Sequence, residues 1–323
     1  MNTVMEAGRA LNPVLLREIK ERMRSPRAFW IVVVFLGLIS LLMYGSYRGG
    51  LVYLRFRGLF SGGAFTGAAL GRIMFEWTIL ALMVLVTFIA PGIAAGSITS
   101  EKERRTLHLV QITLLSPRSI ALGKMATSLA FLFLLLVAST PLFAVPLVLG
   151  GVTAWQVLRG FLVVAAWTTF LVAVGTWISS VARRVQFAIV AAYVLTFVVA
   201  IGSLILLGVE SMAINYSSTD RQPVSMYASP LAALADATIQ PGARTGLPVP
   251  LSPLDELLHP GGSFFVAPSG QLQQPLSGTS QFPNPPVWHV HVLVLLILSA
   301  VMILLASARL RLPSPKFSLG KSG

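Results

Sequence analysis

Six apolar stretches of this chain each run for at least 20 residues without an Asp, Glu, Lys or Arg: Ala28–Tyr47, Trp77–Ser100, Met125–Leu158, Gly160–Ala182, Val185–Val209 and Val287–Ala308. About 20 helical residues cross the ~30 Å hydrocarbon of a bilayer. A continuous run, unlike an alternating one, buries every face of its helix, so each stretch is read as one transmembrane helix. The Met125–Leu158 run is too short for two crossings and a turn. It is expected to form one helix, bent at Pro141 or Pro146 and ending at Gly150-Gly151. The expected spans are about 28–47, 75–97, 125–149, 158–181, 186–208 and 287–308. The fold class is all-α integral membrane, organised as one membrane domain over residues 1–323.

Composition agrees with that reading. Charged residues are 11% of the chain and apolar ones 55%, with a mean hydropathy of +0.80. An ordinary globular protein carries about 25% charged residues. With so little charge, water is not the main solvent. The 24 Lys and Arg against 11 Asp and Glu give +13, an excess that in a membrane protein reports orientation and anionic headgroups rather than nucleic acid. The chain has no Cys, which excludes disulfides, thiolate metal sites and cysteine nucleophiles and leaves redox compartment unread.

Orientation follows from Lys and Arg in the connections. With the N-terminus inside, the inner segments hold 17 and the outer segments 7. Both termini are therefore expected in the cytoplasm and the protein in the cytoplasmic (inner) membrane. The first outer loop, with Arg48, Arg55, Arg57 and Arg72 and no acid before Glu76, runs against this and is outvoted. The first apolar run is too long, and too far from the start, for a cleaved signal peptide.

Outside the spans, residues 1–27 form the N-terminal segment and 309–323 the C-terminal tail. Asn12 and Pro13 are a helix start, and Leu11, Leu15, Ile19 and Met23 recur every fourth residue, predicting an interfacial amphipathic helix over 13–24. The outer loop 210–286 holds 12 of the 20 prolines. Ser229-Pro230 and Ser252-Pro253 each pair an N-cap with a Pro at the next position, so two short helices are expected there at the outer face.

Several chemistries are missing. Gly123-Lys124 is followed by Met125, and Gly320-Lys321-Ser322 has Pro315 where a phosphate-binding turn needs glycine, so the chain is not expected to bind ATP itself. Within the spans the sole acid is Glu76, and Arg72 four residues earlier makes a local ion pair the expected arrangement. His289 and His291, with His259, Met212 and Met226, are read as interfacial side chains rather than metal ligands. No catalytic, cofactor-binding or metal-binding residue is expected.

The most informative connection joins the second and third spans. Ser100 and Glu103 have the spacing of a capping box, predicting a new helix where span two leaves the membrane. Leu107, Val110 and Leu114 follow as an apolar edge, and Ser116-Pro117 is a second cap. Two capped helices about a short turn make a rigid elbow, suited to passing on force from a docked partner.

Here the chain resembles the membrane subunits of ABC-type exporters of the type-2 permease family. The residues that carry the likeness are Asn12-Pro13-Val14-Leu15 with Arg17-Glu18, then Pro91-Gly92-Ile93-Ala94-Ala95-Gly96-Ser97-Ile98. Glu101-Lys102-Glu103-Arg104-Arg105-Thr106-Leu107, Leu115-Ser116-Pro117 and Gly123-Lys124 complete it. Arg105 stands where such sequences often have glycine, and Leu114 where proline is common. The resemblance implies a cytoplasmic coupling helix between spans two and three that contacts a separate ABC ATPase subunit. It places that contact on Glu101, Glu103, Arg104, Arg105, Thr106 and Leu107, with a smaller one on Arg183 and Arg184. ATP and Mg would then belong to the partner. It also implies a dimer with a second permease copy or paralogue.

The resulting expectation is a non-catalytic permease subunit of an ATP-driven exporter. Two other readings differ in class: a membrane subunit doing mechanical or assembly work on an outer-side protein, motivated by the Pro-rich outer loop, and an ion-driven carrier using Glu76. Gly92 and Gly96, in a G-x-x-x-G spacing, are expected to let helices approach closely.

Overall fold

A computed structural model describes residues 26–61, 67–104, 117–217, 224–238, 254 and 287–310. Among these there is no strand. The helices are α1 (Pro26–Ser61), α2 (Gly67–Glu103), α3 (Pro117–Ser139), α4 (Ala144–Leu149), α5 (Ala154–Val181), α6 (Val185–Ser217), α7 (Pro230–Thr238) and α8 (Val287–Arg309). Short 3₁₀ turns lie at Thr140–Phe143 and Val224–Tyr227. Six segments are long and apolar enough to cross a membrane: Ala28–Arg55, Gly67–Glu103, Arg118–Leu149, Ala154–Val181, Val185–Glu210 and Val287–Arg309. The amphipathic segment 13–24, the Ser252-Pro253 helix start and residues 311–323 lie outside the described residues.

Proline and glycine set the irregularities. At Pro141, which lacks an N–H, the third span passes into a 3₁₀ turn before α4 resumes. It ends at Gly150 (φ +79°) and Gly151 (φ +93°). Glycine is required at the second of these: a Cβ on Gly151 would lie 2.0 Å from the Ala68 carbonyl oxygen. The sharp turn then feeds α5, whose start is a capping box. Thr153 Oγ1 accepts from Gln156 N at 3.3 Å and Gln156 Oε1 accepts from Thr153 N at 2.8 Å.

Helix α5 is the centre of the bundle. It packs against α2, α3, α6, α7 and α8, and two-thirds of its apolar window is buried, against 22% for α1 and 17% for α6. Its tightest neighbour is α2. A Cβ on Gly175 would lie 2.6 Å from Ala94 Cβ, so the absence of a side chain lets the two backbones meet. Trp167, Leu171 and Val174 of α5 share this core with Ile79, Leu82 and Val86 of α2. The exposed apolar residues of α6, among them Phe187, Val190, Val194, Val198, Ile201 and Ile205, recur at helical spacing and form an outward stripe. Lipid can solvate such a face.

Helices α1 and α2 have 36 and 37 residues, about 54–56 Å of helix, well beyond the hydrocarbon thickness. The expected first outer loop is therefore largely helical: Arg48 and Arg55 lie on α1 and Arg72 on α2.

Candidate functional site

Polar side chains gather at the two ends of the bundle. At one end α2, α3, α5 and α6 meet, and there Arg104, Arg118, Arg183 and Arg184 are exposed.

The expected capping box at Ser100 does not form. Helix α2 runs through Ser100 to Glu103, and Arg104 N donates to the Ser100 carbonyl at 3.1 Å. Ser100-Glu101-Lys102-Glu103 contains no helix breaker, so nothing forces a new start. The Glu103 carboxylate instead accepts from Val185 N at 2.7 Å, capping the first turn of α6 across 82 residues of sequence.

The neighbouring residues are engaged in the same way. Lys124 Nζ on α3 donates to Glu101 Oε1 at 2.5 Å. Lys102 Nζ reaches the last carbonyls of α5, at 3.3 Å from Ser179 O and from Ala182 O and closest to Ser180 O. A helix C-terminus leaves carbonyls without intrahelical donors, and a lysine there satisfies both hydrogen bonding and the macrodipole. One turn inward, Ser179 Oγ accepts from Ile98 N and Thr99 N, both at 2.9 Å, and Thr99 Oγ1 lies 3.0 Å from Ser179 O. Behind these, Ile98, Ile120, Ala121, Ala306 and Leu310 form a small apolar cluster.

Thus Glu101 and Glu103, expected as partner contacts, have their carboxylates turned onto α3 and α6, while Arg104, Arg183 and Arg184 point to solvent. Arg105, Thr106 and Leu107 lie outside the described residues. Sequence reasoning passed over Lys102, Lys124, Thr99 and Ser179. Lys102 stood inside the quoted motif, but nothing local to it marks the end of α5 as its partner.

At the opposite end, Arg72 Nε donates to Glu76 Oε1 at 2.6 Å, with side-chain exposures of 8% and 0%. The pair is buried within protein rather than lying at the bundle's rim. Arg72 Nη1 also donates to Thr238 O at 3.2 Å, and Gln156 Nε2 to the same oxygen at 2.8 Å. Those two side chains satisfy the C-terminus of α7, the helix expected at Ser229-Pro230. Its Ser229 Oγ accepts from Ala232 N at 3.4 Å.

Helix α7 is held at its other links too. Asp236 Oδ2 accepts from Trp288 N at 3.0 Å, capping the start of α8. Burial raises the Asp236 carboxyl above its ordinary value, only partly offset by the Trp288 and Val287 amides and the charges of His289 and Arg159. Glu210 accepts from Val224 N and Ser225 N, both at 2.8 Å. Arg159 Cζ lies 5.1 Å from the Trp155 ring centroid and 5.7 Å from that of Trp288. His291 Nδ1 sits 2.8 Å from Tyr227 O, and among the described residues no His, Cys, Asp and Glu cluster could hold a metal ion.

Gly92 and Gly96 both face α6, though unequally. A Cβ at Gly92 would come 3.0 Å from Tyr193 Oη, whereas one at Gly96 would meet Val185 Cγ1 at an ordinary 3.9 Å. A close approach of α2 to α5 instead uses Gly175.

Chemically, neither end carries an activated nucleophile or a phosphate cradle in its described residues. What the arrangement provides is cross-linking: two carboxylates and a lysine at the end of α2 bond to α3, to the end of α5 and to the start of α6. A comparison with curated proteins found no match. The family model described as ABC-2 family transporter protein matches residues 13–311. With six spans, α5 the most enclosed of them, and a match over nearly its whole length, this chain belongs to the ABC-2 family of transporter proteins and is a multi-pass transmembrane subunit of an ABC transporter.

Proposed function

We propose that this chain is the permease of an ATP-driven exporter and that a separate ABC ATPase docks on its basic end. The observation that carries the reading is the division of labour there. Glu101, Lys102 and Glu103 are bonded to other helices of the same chain, while Arg104, Arg183 and Arg184 stay exposed beside them. Exposed arginines steer a partner and fix its register. Arg105, Thr106 and Leu107 continue the docking segment, the leucine as an apolar anchor. ATP and Mg²⁺ are bound and hydrolysed by the partner. The basic end is the cytoplasmic one, with both termini on the cytoplasmic side of the inner membrane, and two permease chains associate around the substrate path.

Co-purification tests the reading. Replacing Arg104, Arg183 and Arg184 together with Ala should lower recovery of the ATPase subunit about tenfold or more, roughly 1.4 kcal/mol of docking energy. Unchanged recovery would show that these residues are not the dock.

A further inference from the structure

The turn that carries Arg183 and Arg184 is gripped on both sides by consecutive residues at the end of α2. On its near side, the Ala182 carbonyl accepts from Lys102 Nζ at 3.3 Å. On its far side, the Val185 amide donates to Glu103 Oε1 at 2.7 Å. Glu101, one residue earlier, is paired with Lys124 of α3. Three successive side chains of α2 therefore fasten three other helices, at the point where the chain leaves α2 for the connection to α3. Beneath them the hydroxyls of Thr99 and Ser179, 2.9 Å apart, tie the α2 and α5 backbones together.

We propose that Lys102 is a positioning residue, the joint that makes the last turn of α2 and the Arg183–Arg184 turn one rigid body; this rests on the docking reading above. Two physical points support it. A lysine serving only as a C-cap commonly comes from its own helix, but Lys102 comes from α2 and caps α5, so it resists relative motion of the two. And α5 is the most enclosed span of the bundle, so displacement passed to its end through Lys102 reaches the centre of the molecule rather than its lipid-facing rim. A rigid element shared by both contacts is what a push needs in order to travel as a unit.

The chain has no Cys, so two spin labels can be placed uniquely. Leu122→Cys on α3 and Val181→Cys on α5 are 51% and 50% exposed, and neither side chain makes a bond of the joint. In the complex with its ATPase, the distance between labels should be narrowly distributed and unchanged on adding ATP and Mg²⁺. Lys102→Met, which keeps the aliphatic stem, should broaden it and make it nucleotide-dependent; Lys102→Arg should restore the narrow form. A side chain that only stabilises the fold would lower the melting temperature and leave the distance narrow and nucleotide-independent, and that result overturns the proposal. So does a native distance that shifts with nucleotide. If Lys102→Met does not accumulate, Lys102→Gln, which is uncharged and shorter, takes its place with the same two outcomes. If the native chain recovers no ATPase, the docking reading fails on its own. The joint is then judged by the width in the permease alone, where no broadening in Lys102→Met counts against it.

Discussion

Asp236 illustrates how a carboxylate acts in this protein at the scale of one residue. Its acceptor role toward Trp288 N favours the ionised form, yet burial outweighs that and holds the carboxyl above its ordinary value. A proton is therefore held more tightly in the folded state than in the unfolded chain. Stability should fall as pH rises from the ordinary carboxylate value through the raised one, and level off above it. Asp236→Asn keeps an oxygen acceptor and should flatten that slope. Asp236→Ala removes the cap and should cost about 0.5–2 kcal/mol. Thermal unfolding in detergent across the acidic range measures both, and an unaltered slope in Asp236→Asn would refute the assignment. Arg72 and Glu76 behave differently because both are buried. Arg72→Met alone should cost on the order of 3–5 kcal/mol by leaving a buried carboxylate without its guanidinium. Arg72→Met with Glu76→Met should recover much of that loss. A double variant no more stable than the single one would contradict this account.

At the scale of elements, helix ends and helix contacts decide the arrangement. Helix α2 contains Pro91, whose ring crowds the Thr87 carbonyl and supplies no N–H. Polar partners come from outside that stretch: Tyr193 Oη donates to Phe88 O at 2.6 Å and Trp167 Nε1 to Thr87 Oγ1 at 2.8 Å. Below it, α2 and α5 meet at Gly175. Gly175→Ala should cost about 1–3 kcal/mol through overpacking against Ala94 and the Ala95 amide. Gly96→Ala, whose Cβ would make an ordinary contact with Val185, should be neutral or stabilising by up to about 1 kcal/mol through helix propensity. Comparing detergent melting temperatures of the two variants checks the contrast; equal effects would mean that α2 and α5 are not locked at Gly175.

At the scale of the molecule, the two ends of the bundle are of different kinds. One presents exposed arginines on a stitched junction; the other folds α7 back against α5 and α8. In intact cells, Val224→Cys, 74% exposed beside α7, should react with a membrane-impermeant maleimide, and Arg183→Cys should react only after permeabilisation. The opposite pattern would invert the topology and remove the cytoplasmic dock.

Much of this was legible in the residues alone. Charge-free runs locate six crossings because lipid excludes unpaired charge along an entire helix. Pro141, Gly150-Gly151 and Ser229-Pro230 mark bends, stops and starts because those preferences act within a few bonds of the residue. The fastening of one helix to another was not legible. Ser100 and Glu103 have a local capping pattern, but the carboxylate finds the Val185 amide, 82 residues away, while the backbone simply continues as helix. A hydrophobic run is a property of consecutive residues, so sequence determines it. Which buried carbonyl Lys102 satisfies, and whether Gly96 or Gly175 takes the close contact, depends on which helix ends the packed bundle brings together, and that only the tertiary structure decides.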